Sequence, residues 1–139
     1  MFDQHGIKVS EILKLAGLRP TRQRIALGKL LWPQHGGHQH ITAEELHKRA
    51  EEAGEAVSLA TVYNTLHQFR ESGLLGRLYV DSSCAYFDTN VDDHHHFYFE
   101  RTGRLVDVPS AHVSIENLPY TDEGHMPVST QVLMRVDAD

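Results

Sequence analysis

Three consecutive histidines, His94, His95 and His96, follow two aspartates and precede an aromatic run in the segment DDHHHFYFE. Imidazole nitrogens bind divalent metals and haem iron. Alternate side chains of a β-strand share a face, so His94 and His96 are expected to point one way, about 7 Å apart along the strand. Two imidazoles in that arrangement can converge on one ion. The alternative interpretation is a hydrated turn that is rich in histidine by chance.

Other residues are available to complete such a site. Asp88 ends the strand before the histidines, Asp107 lies on the strand expected after a turn at Thr102 and Gly103, and His40 precedes the third helix. A set of histidine and aspartate without sulfur suits Mn²⁺, Fe²⁺ or Zn²⁺ rather than Cu⁺. The three adjacent imidazoles offer haem ligation as a second possibility.

Composition limits the classes of protein that this chain can represent. With Cys84 as its single cysteine, the chain can form neither an internal disulfide nor an all-cysteine zinc site. Residues 1–80 hold ten Lys/Arg against eight Asp/Glu, whereas residues 81–139 hold three against eleven. This asymmetry predicts a first half that faces phosphate and a second half that attracts cations. The sequence shows neither a signal peptide nor a membrane span, so a cytoplasmic protein is expected.

The elements that must position these residues follow from apolar spacing and capping residues. Helices are predicted to start at Thr21, Thr42 and Ser58, after a first helix that ends at Gly17. The last helix buries a stripe formed by Leu59, Val62, Leu66 and Phe69. A hairpin around residues 81–83 follows, and helices followed by a hairpin are the order of a winged helix-turn-helix.

The second half of the chain is predicted to be a smaller, strand-rich unit. A second hairpin begins at the histidines, a short helix is expected in PSAHVSIENLP before Pro119, and alternation from Val128 to Val136 predicts a last strand. The fold class is therefore α+β. We predict a winged-helix DNA-binding domain at residues 1–88, a hinge at 89–93, and an α/β dimerisation and sensing domain at 94–139.

The helix at residues 58–72 has a small, polar outer face that is almost free of acid, as a helix in the major groove requires. Tyr63 can contact thymine methyls through its ring, and Asn64 can hydrogen-bond adenine or a phosphate. The arginines of RPTRQR suit phosphate contacts or a narrow minor groove. The predicted DNA-contacting residues are Arg19, Arg22, Thr61, Tyr63, Asn64 and His67.

Four segments together resemble the ferric uptake regulator (Fur) family: AGLRPTRQRIAL, HITAEELHKRA, VSLATVYNTLHQFRESGLL and FDT…HHHFYFERTGRLVDV. The resemblance runs from about residue 10 to residue 108. Within the family, the chain is most similar to the iron response regulators (Irr) of rhizobia and related α-proteobacteria. The grounds are the HHH run and the absence of both CxxC pairs, with Phe99 and Thr102 where Fur has its first pair. The resemblance implies that the structural zinc site built from four cysteines is missing.

The resemblance also implies roles for individual residues. It places the DNA-contacting tyrosine on Tyr63, a minor-groove basic residue on Arg19, and Asn64 where Fur usually has arginine. A second Fur metal site maps poorly, because Asp93 and His95 are present but its C-terminal histidine is not. The regulatory-metal ligands fall on His40, Asp88, His94, His96 and Asp107.

These implications predict a homodimeric, Irr-like transcriptional regulator of iron homeostasis and haem biosynthesis genes. It is expected to bind an A/T-rich pseudo-palindromic operator in double-stranded DNA. Mn²⁺ or Fe²⁺ would support binding and haem, at His94, His95 or His96, would oppose it; Zn²⁺ is a possible substitute in crystals. The main alternative is a Fur- or Mur-like repressor that responds to Fe²⁺ or Mn²⁺ without haem. A metalloenzyme and a metal-buffering protein are further alternatives, and we predict no enzymatic activity.

Overall fold

The computed structural model describes residues 8–35 and 37–137 and shows two compact units, with the division between Val91 and Asp92. This division falls within residues 89–93, where the sequence predicted a hinge; the hinge function stays a prediction. Residues 1–7 of the predicted first domain and 138–139 of the second lie outside the described residues.

Four helices build the first unit, and all three predicted N-caps are present. The side-chain oxygens of Thr21, Thr42 and Ser58 accept hydrogen bonds from backbone N–H groups in the first turns of the second, third and fourth helices. Each cap satisfies a donor that has no partner within its helix. The helices are α1 (Val9–Leu15), α2 (Arg22–Leu31), α3 (Ala43–Glu52) and α4 (Leu59–Glu71).

The buried faces of the four helices meet in one apolar core. Leu13, Leu27, Leu46, Leu66 and Phe69 are inaccessible to solvent and represent all four helices. The predicted stripe of α4 is correct except at its first position. Leu59 is 37% exposed because it begins the helix, and Thr65 is buried instead.

A small antiparallel sheet completes the first unit. The predicted hairpin is present as β2 (Gly76–Asp81) and β3 (Cys84–Asp88). The sequence did not predict a two-residue strand, β1 (His40–Ile41), which pairs with the other side of β3. The strand order is β1-β3-β2, and four helices with this hairpin form a winged helix-turn-helix.

The second unit is a three-stranded mixed sheet with β4 (His94–Phe99) at its centre. β5 (Arg104–Pro109) pairs with β4 antiparallel across the predicted turn, where Gly103 adopts a φ of 73°. β6 (Leu133–Val136) pairs with β4 in parallel. The overall α+β class predicted from the sequence is confirmed.

Two predictions for the second unit are wrong. The expected short helix is only a 3₁₀ turn, Ser110–His112, and the described residues 92–137 contain no α-helix. The last strand begins at Leu133 rather than Val128, which is fully exposed. Alternation alone does not make a strand, because β6 finds a hydrogen-bonding partner only along four residues of β4. Among the helices described, none has the length and apolar character needed to cross a membrane.

Candidate metal centre and nucleic-acid interface

His94, His96 and Asp107 bring three ligand atoms together in the second unit. His96 and Asp107 are direct cross-strand partners on β4 and β5, and His94 precedes His96 by two residues on the same face of β4. The Nε2 atoms of the two histidines are 3.0 Å apart. The Oδ1 atom of Asp107 lies 3.3 Å from Nε2 of His94 and 3.4 Å from Nε2 of His96.

This triangle matches the spacing of ligands around one divalent ion. With metal–ligand distances of about 2.1 Å, neighbouring ligands stand about 3.0 Å apart in an octahedron and about 3.4 Å apart in a tetrahedron. The three measured separations lie in that range. Two imidazoles and a carboxylate suit Mn²⁺, Fe²⁺ or Zn²⁺, so the residues fit the predicted ions.

A backbone contact sets the protonation of His94 for metal binding. Its Nδ1 atom lies 2.5 Å from the carbonyl oxygen of Asp92. Because a carbonyl only accepts, Nδ1 carries a proton, and in the neutral ring Nε2 is then the nitrogen with the lone pair that a metal ion needs. A hydrogen bond from the second ring nitrogen to a carbonyl is the usual way in which proteins orient a metal-binding histidine.

His95 points away from this triangle, as strand alternation predicted, and makes a different contact. Its Nδ1 atom accepts a hydrogen bond from the backbone N–H of Val132 at 2.9 Å, just before β6. The proton of the neutral ring is then on Nε2, so that nitrogen has no lone pair for iron. The contact counts against His95 as a haem ligand and gives it a structural role, tying β4 to the chain before β6.

The first unit holds the other two predicted ligands as a pair. His40 on β1 and Asp88 on β3 are cross-strand partners, and their Nε2 and Oδ2 atoms are 3.2 Å apart. Asp88 is buried, with 3% of its surface exposed. The short strand β1, which the sequence did not reveal, is therefore what positions His40.

Gln39 connects this pair to the helices, and no pattern in the sequence indicated it. Its side-chain amide donates to the carbonyl oxygens of Leu30 and Leu31 at the end of α2, and its Oε1 accepts from Arg49 of α3. Its backbone exchanges hydrogen bonds with Thr89, beside Asp88. Gln39 thus fixes the strand that carries His40 to α2 and α3.

Replacing Gln39 by Ala is expected to lower the free energy of unfolding of the metal-free protein by about 1–3 kcal/mol. The change removes the side-chain partners of the two α2 carbonyls and of Arg49. Urea unfolding followed by the fluorescence of Trp32, the single tryptophan, measures the effect. Gln34→Ala, at an exposed position in the same loop, is the control. Equal stability of the two variants would contradict this role.

Most predicted DNA-contacting side chains lie on accessible surface of the first unit. Asn64 and His67 are exposed on α4, Tyr63 is 40% exposed, and Thr61 is half-buried. His67 also packs edge-on against Phe87 of β3. Arg19, just before α2, and Arg22, the first residue of α2, are exposed as well.

Arg24 differs from the other two arginines because its guanidinium binds protein atoms. Nε and Nη2 donate to Oε1 of Gln68 on α4, and Nη1 donates to the carbonyl oxygen of Arg19. A polar cleft of about 230 Å³ lies beside this bridge and is lined in part by Asn64. Arg24 therefore has a structural role, because it ties the start of α2 to α4.

Tyr63 on α4 makes a contact that the sequence did not predict. Its hydroxyl donates to Glu44 of α3, with distances of 2.8 Å to Oε1 and 3.2 Å to Oε2. This hydrogen bond, burial and the negative charge of Glu44 raise the pKa of the Tyr63 phenol above its ordinary value. Tyr63 is therefore uncharged throughout the physiological pH range. The sequence patterns did not single out Glu44, which lies in the first turn of α3.

Comparison with known proteins is consistent across sequence and structure. The chain is 30% identical over 125 residues to the ferric uptake regulation protein of Haemophilus ducreyi, covering 89% of this chain and 84% of that protein. It is 39% identical over 97 residues to the peroxide operon regulator of Bacillus subtilis. This match covers 70% of this chain and 65% of that relative, so it spans slightly less than two thirds of the relative's length. The structure of the ferric uptake regulator from Pseudomonas aeruginosa with manganese matches with a TM-score of 0.72 and 29% identity, covering 94% and 97% of the two chains.

The family model for the ferric uptake regulator family matches residues 15–134, which is most of the chain and includes parts of both units. The matched range contains all of the predicted metal ligands and DNA-contacting residues. The protein thus belongs to the ferric uptake regulator family, whose members are transcriptional regulators and not enzymes.

Proposed function

We propose that this protein is a homodimeric repressor whose operator affinity is controlled by a divalent metal ion, Mn²⁺ or Fe²⁺. The observation that carries the proposal is the triangle of ligand atoms from His94, His96 and Asp107, with sides of 3.0–3.4 Å. A single divalent ion bound by these three atoms would complete the metal site. The manganese in the structure of the Pseudomonas relative supports this choice of metal.

We propose further that the same ion also takes ligands from His40 and Asp88 of the first unit. In each unit an imidazole nitrogen and a carboxylate oxygen lie within hydrogen-bonding distance of each other, His40 with Asp88 in the first and His94 with Asp107 in the second. An ion shared by both sets would link the sensing residues to the unit that carries α4. Its binding would then fix the spacing of two recognition helices in a dimer, and half-sites one DNA turn apart tolerate little error in that spacing.

DNA recognition is assigned to α4 and to the start of α2. The exposure of Tyr63 and Asn64 on α4 supports a role for both side chains at base edges in a major groove. Arg19 and Arg22 supply positive charge for phosphates or for an A/T-rich minor groove. Two-fold symmetry of the proposed dimer implies a pseudo-palindromic operator. Because the proposed ligand is operator DNA, the proposed location is the cytoplasm.

Haem control of the Irr type is the second candidate, and the run of three histidines is the observation that favours it. The side-chain contacts weigh against it. His94, His95 and His96 are at most 7% exposed, and His95 uses Nδ1 to accept from Val132. An iron porphyrin needs an open face above its axial ligand, so metal-ion control fits this geometry better.

The test uses tag-free protein, because three adjacent histidines bind nickel. Metal is stripped with EDTA, Mn²⁺ is restored in one sample, and each sample selects duplexes from a pool with a randomised region. The proposal expects selection of a two-fold symmetric sequence only with Mn²⁺. Adding haem to the Mn²⁺-loaded complex separates the candidates, since a Soret shift with release of DNA would favour the Irr-type mechanism. Equal selection with and without Mn²⁺ would contradict metal control.

A further inference from the structure

The contact between Glu44 and Tyr63 joins two helices at the exposed surface of the first unit. Glu44 lies in the first turn of α3, and Tyr63 lies in the second turn of α4. Both side chains are exposed, and both carboxylate oxygens lie within 3.2 Å of the phenol oxygen. Because Tyr63 is proposed to contact bases, its contact with Glu44 affects which bases α4 can recognise.

The chemistry of the two groups fixes the direction of this hydrogen bond. An ionised carboxylate only accepts, so the single hydrogen of the Tyr63 hydroxyl is committed to Glu44. The raised pKa of Tyr63 agrees with a proton that stays on the phenol. The phenol oxygen keeps its lone pairs, which accept hydrogen bonds from other donors.

We propose that Glu44 determines base preference by making the Tyr63 hydroxyl act only as a hydrogen-bond acceptor toward DNA. In the major groove the donors are the N6 amino group of adenine and the N4 amino group of cytosine. Thymine O4, guanine O6 and N7, and the phosphate oxygens are all acceptors, and an acceptor-only hydroxyl disfavours them. The inference rests on the proposed role of α4 in reading DNA.

A general electrostatic effect of Glu44 needs to be separated from this specific one. A carboxylate near DNA repels phosphates and weakens binding to every sequence alike. Glu45, next to Glu44 in the same helical turn, carries the same charge and is also exposed. Glu44→Ala and Glu45→Ala therefore remove equal charge at nearly the same place, and only the first removes the contact to Tyr63.

The experiment selects duplexes from a pool with a randomised region, using the Mn²⁺-loaded wild type and both variants. We expect the wild type to favour adenine or cytosine at one position of each half-site. Glu44→Ala should reduce that preference about tenfold, which is the discrimination expected from one base contact. Glu45→Ala should keep the preference of the wild type. Ultraviolet titration, with Tyr63→Phe to identify the signal, should show a lower Tyr63 pKa in Glu44→Ala than in the wild type.

Two results would overturn the proposal, and they are distinguishable. If Glu44→Ala selects the same bases as the wild type at every position, Glu44 does not determine preference although α4 reads DNA. If the wild type and both variants all return unselected pools, the proposed function fails and the inference fails with it.

Discussion

Replacing His94 and His96 together by Ala is expected to weaken Mn²⁺ binding by more than about 100-fold and to abolish the effect of Mn²⁺ on DNA affinity. Loss of a single residue that only supports a metal ligand costs about 10–100-fold, and this change removes two proposed ligands themselves. Asp107 would be left as the sole member of the triangle. Isothermal titration of metal-free protein with Mn²⁺ measures the affinity, and fluorescence anisotropy of a selected duplex measures the DNA response.

The matched control is the double variant His112→Ala, His125→Ala. Both residues are exposed in the second unit and lie outside the triangle. The control removes the same number of imidazoles, so it is expected to bind Mn²⁺ as tightly as the wild type. A His94, His96 double variant that retained wild-type Mn²⁺ binding would place the sensor elsewhere in the molecule.

Tyr63→Ala is expected to weaken binding to the selected duplex by about 10–100-fold, with little change in affinity for unrelated DNA. The variant removes both the ring that is proposed to contact thymine methyls and the hydroxyl held by Glu44. Because Tyr63 is 40% exposed, its loss leaves the apolar core of the first unit intact. Competition of selected against random duplex in an anisotropy assay gives both affinities.

Tyr63→Phe divides this effect into its two parts. It keeps the ring and loses only the hydroxyl, so an intermediate loss of affinity is expected. Circular dichroism and Mn²⁺ titration serve as controls, because neither the helices nor the His94, His96, Asp107 triangle depends on Tyr63. Equal losses of selected and unrelated DNA in Tyr63→Ala would indicate that the tyrosine makes no base-specific contact.

Features that depend on neighbouring residues along the chain were predictable from the sequence. The caps at Thr21, Thr42 and Ser58 need only a side-chain oxygen three residues before the N–H group that it accepts from. The common direction of His94 and His96 follows from the pleat of a strand. These rules act over a few neighbouring residues, so the amino-acid sequence alone was sufficient to predict both features.

Features that depend on distant partners were not predictable in the same way. The strand β1 has only two residues, which is too short for any periodic pattern, and it exists because β3 offers a free edge. Gln39 is important because Leu30, Arg49 and Thr89 surround it. The same limit explains Glu44, whose partner Tyr63 is 19 residues away along the chain.

The measurement that tests metal control most directly is the affinity for Mn²⁺ with and without a saturating amount of the selected duplex. If Mn²⁺ strengthens DNA binding, thermodynamic linkage requires DNA to strengthen Mn²⁺ binding by the same factor. We predict a tighter Mn²⁺ dissociation constant in the presence of the duplex, by about 5–150-fold. Identical Mn²⁺ affinities in the two conditions would show that the His94, His96, Asp107 site and the DNA-reading surface are uncoupled. That result would contradict control of DNA binding by the metal ion.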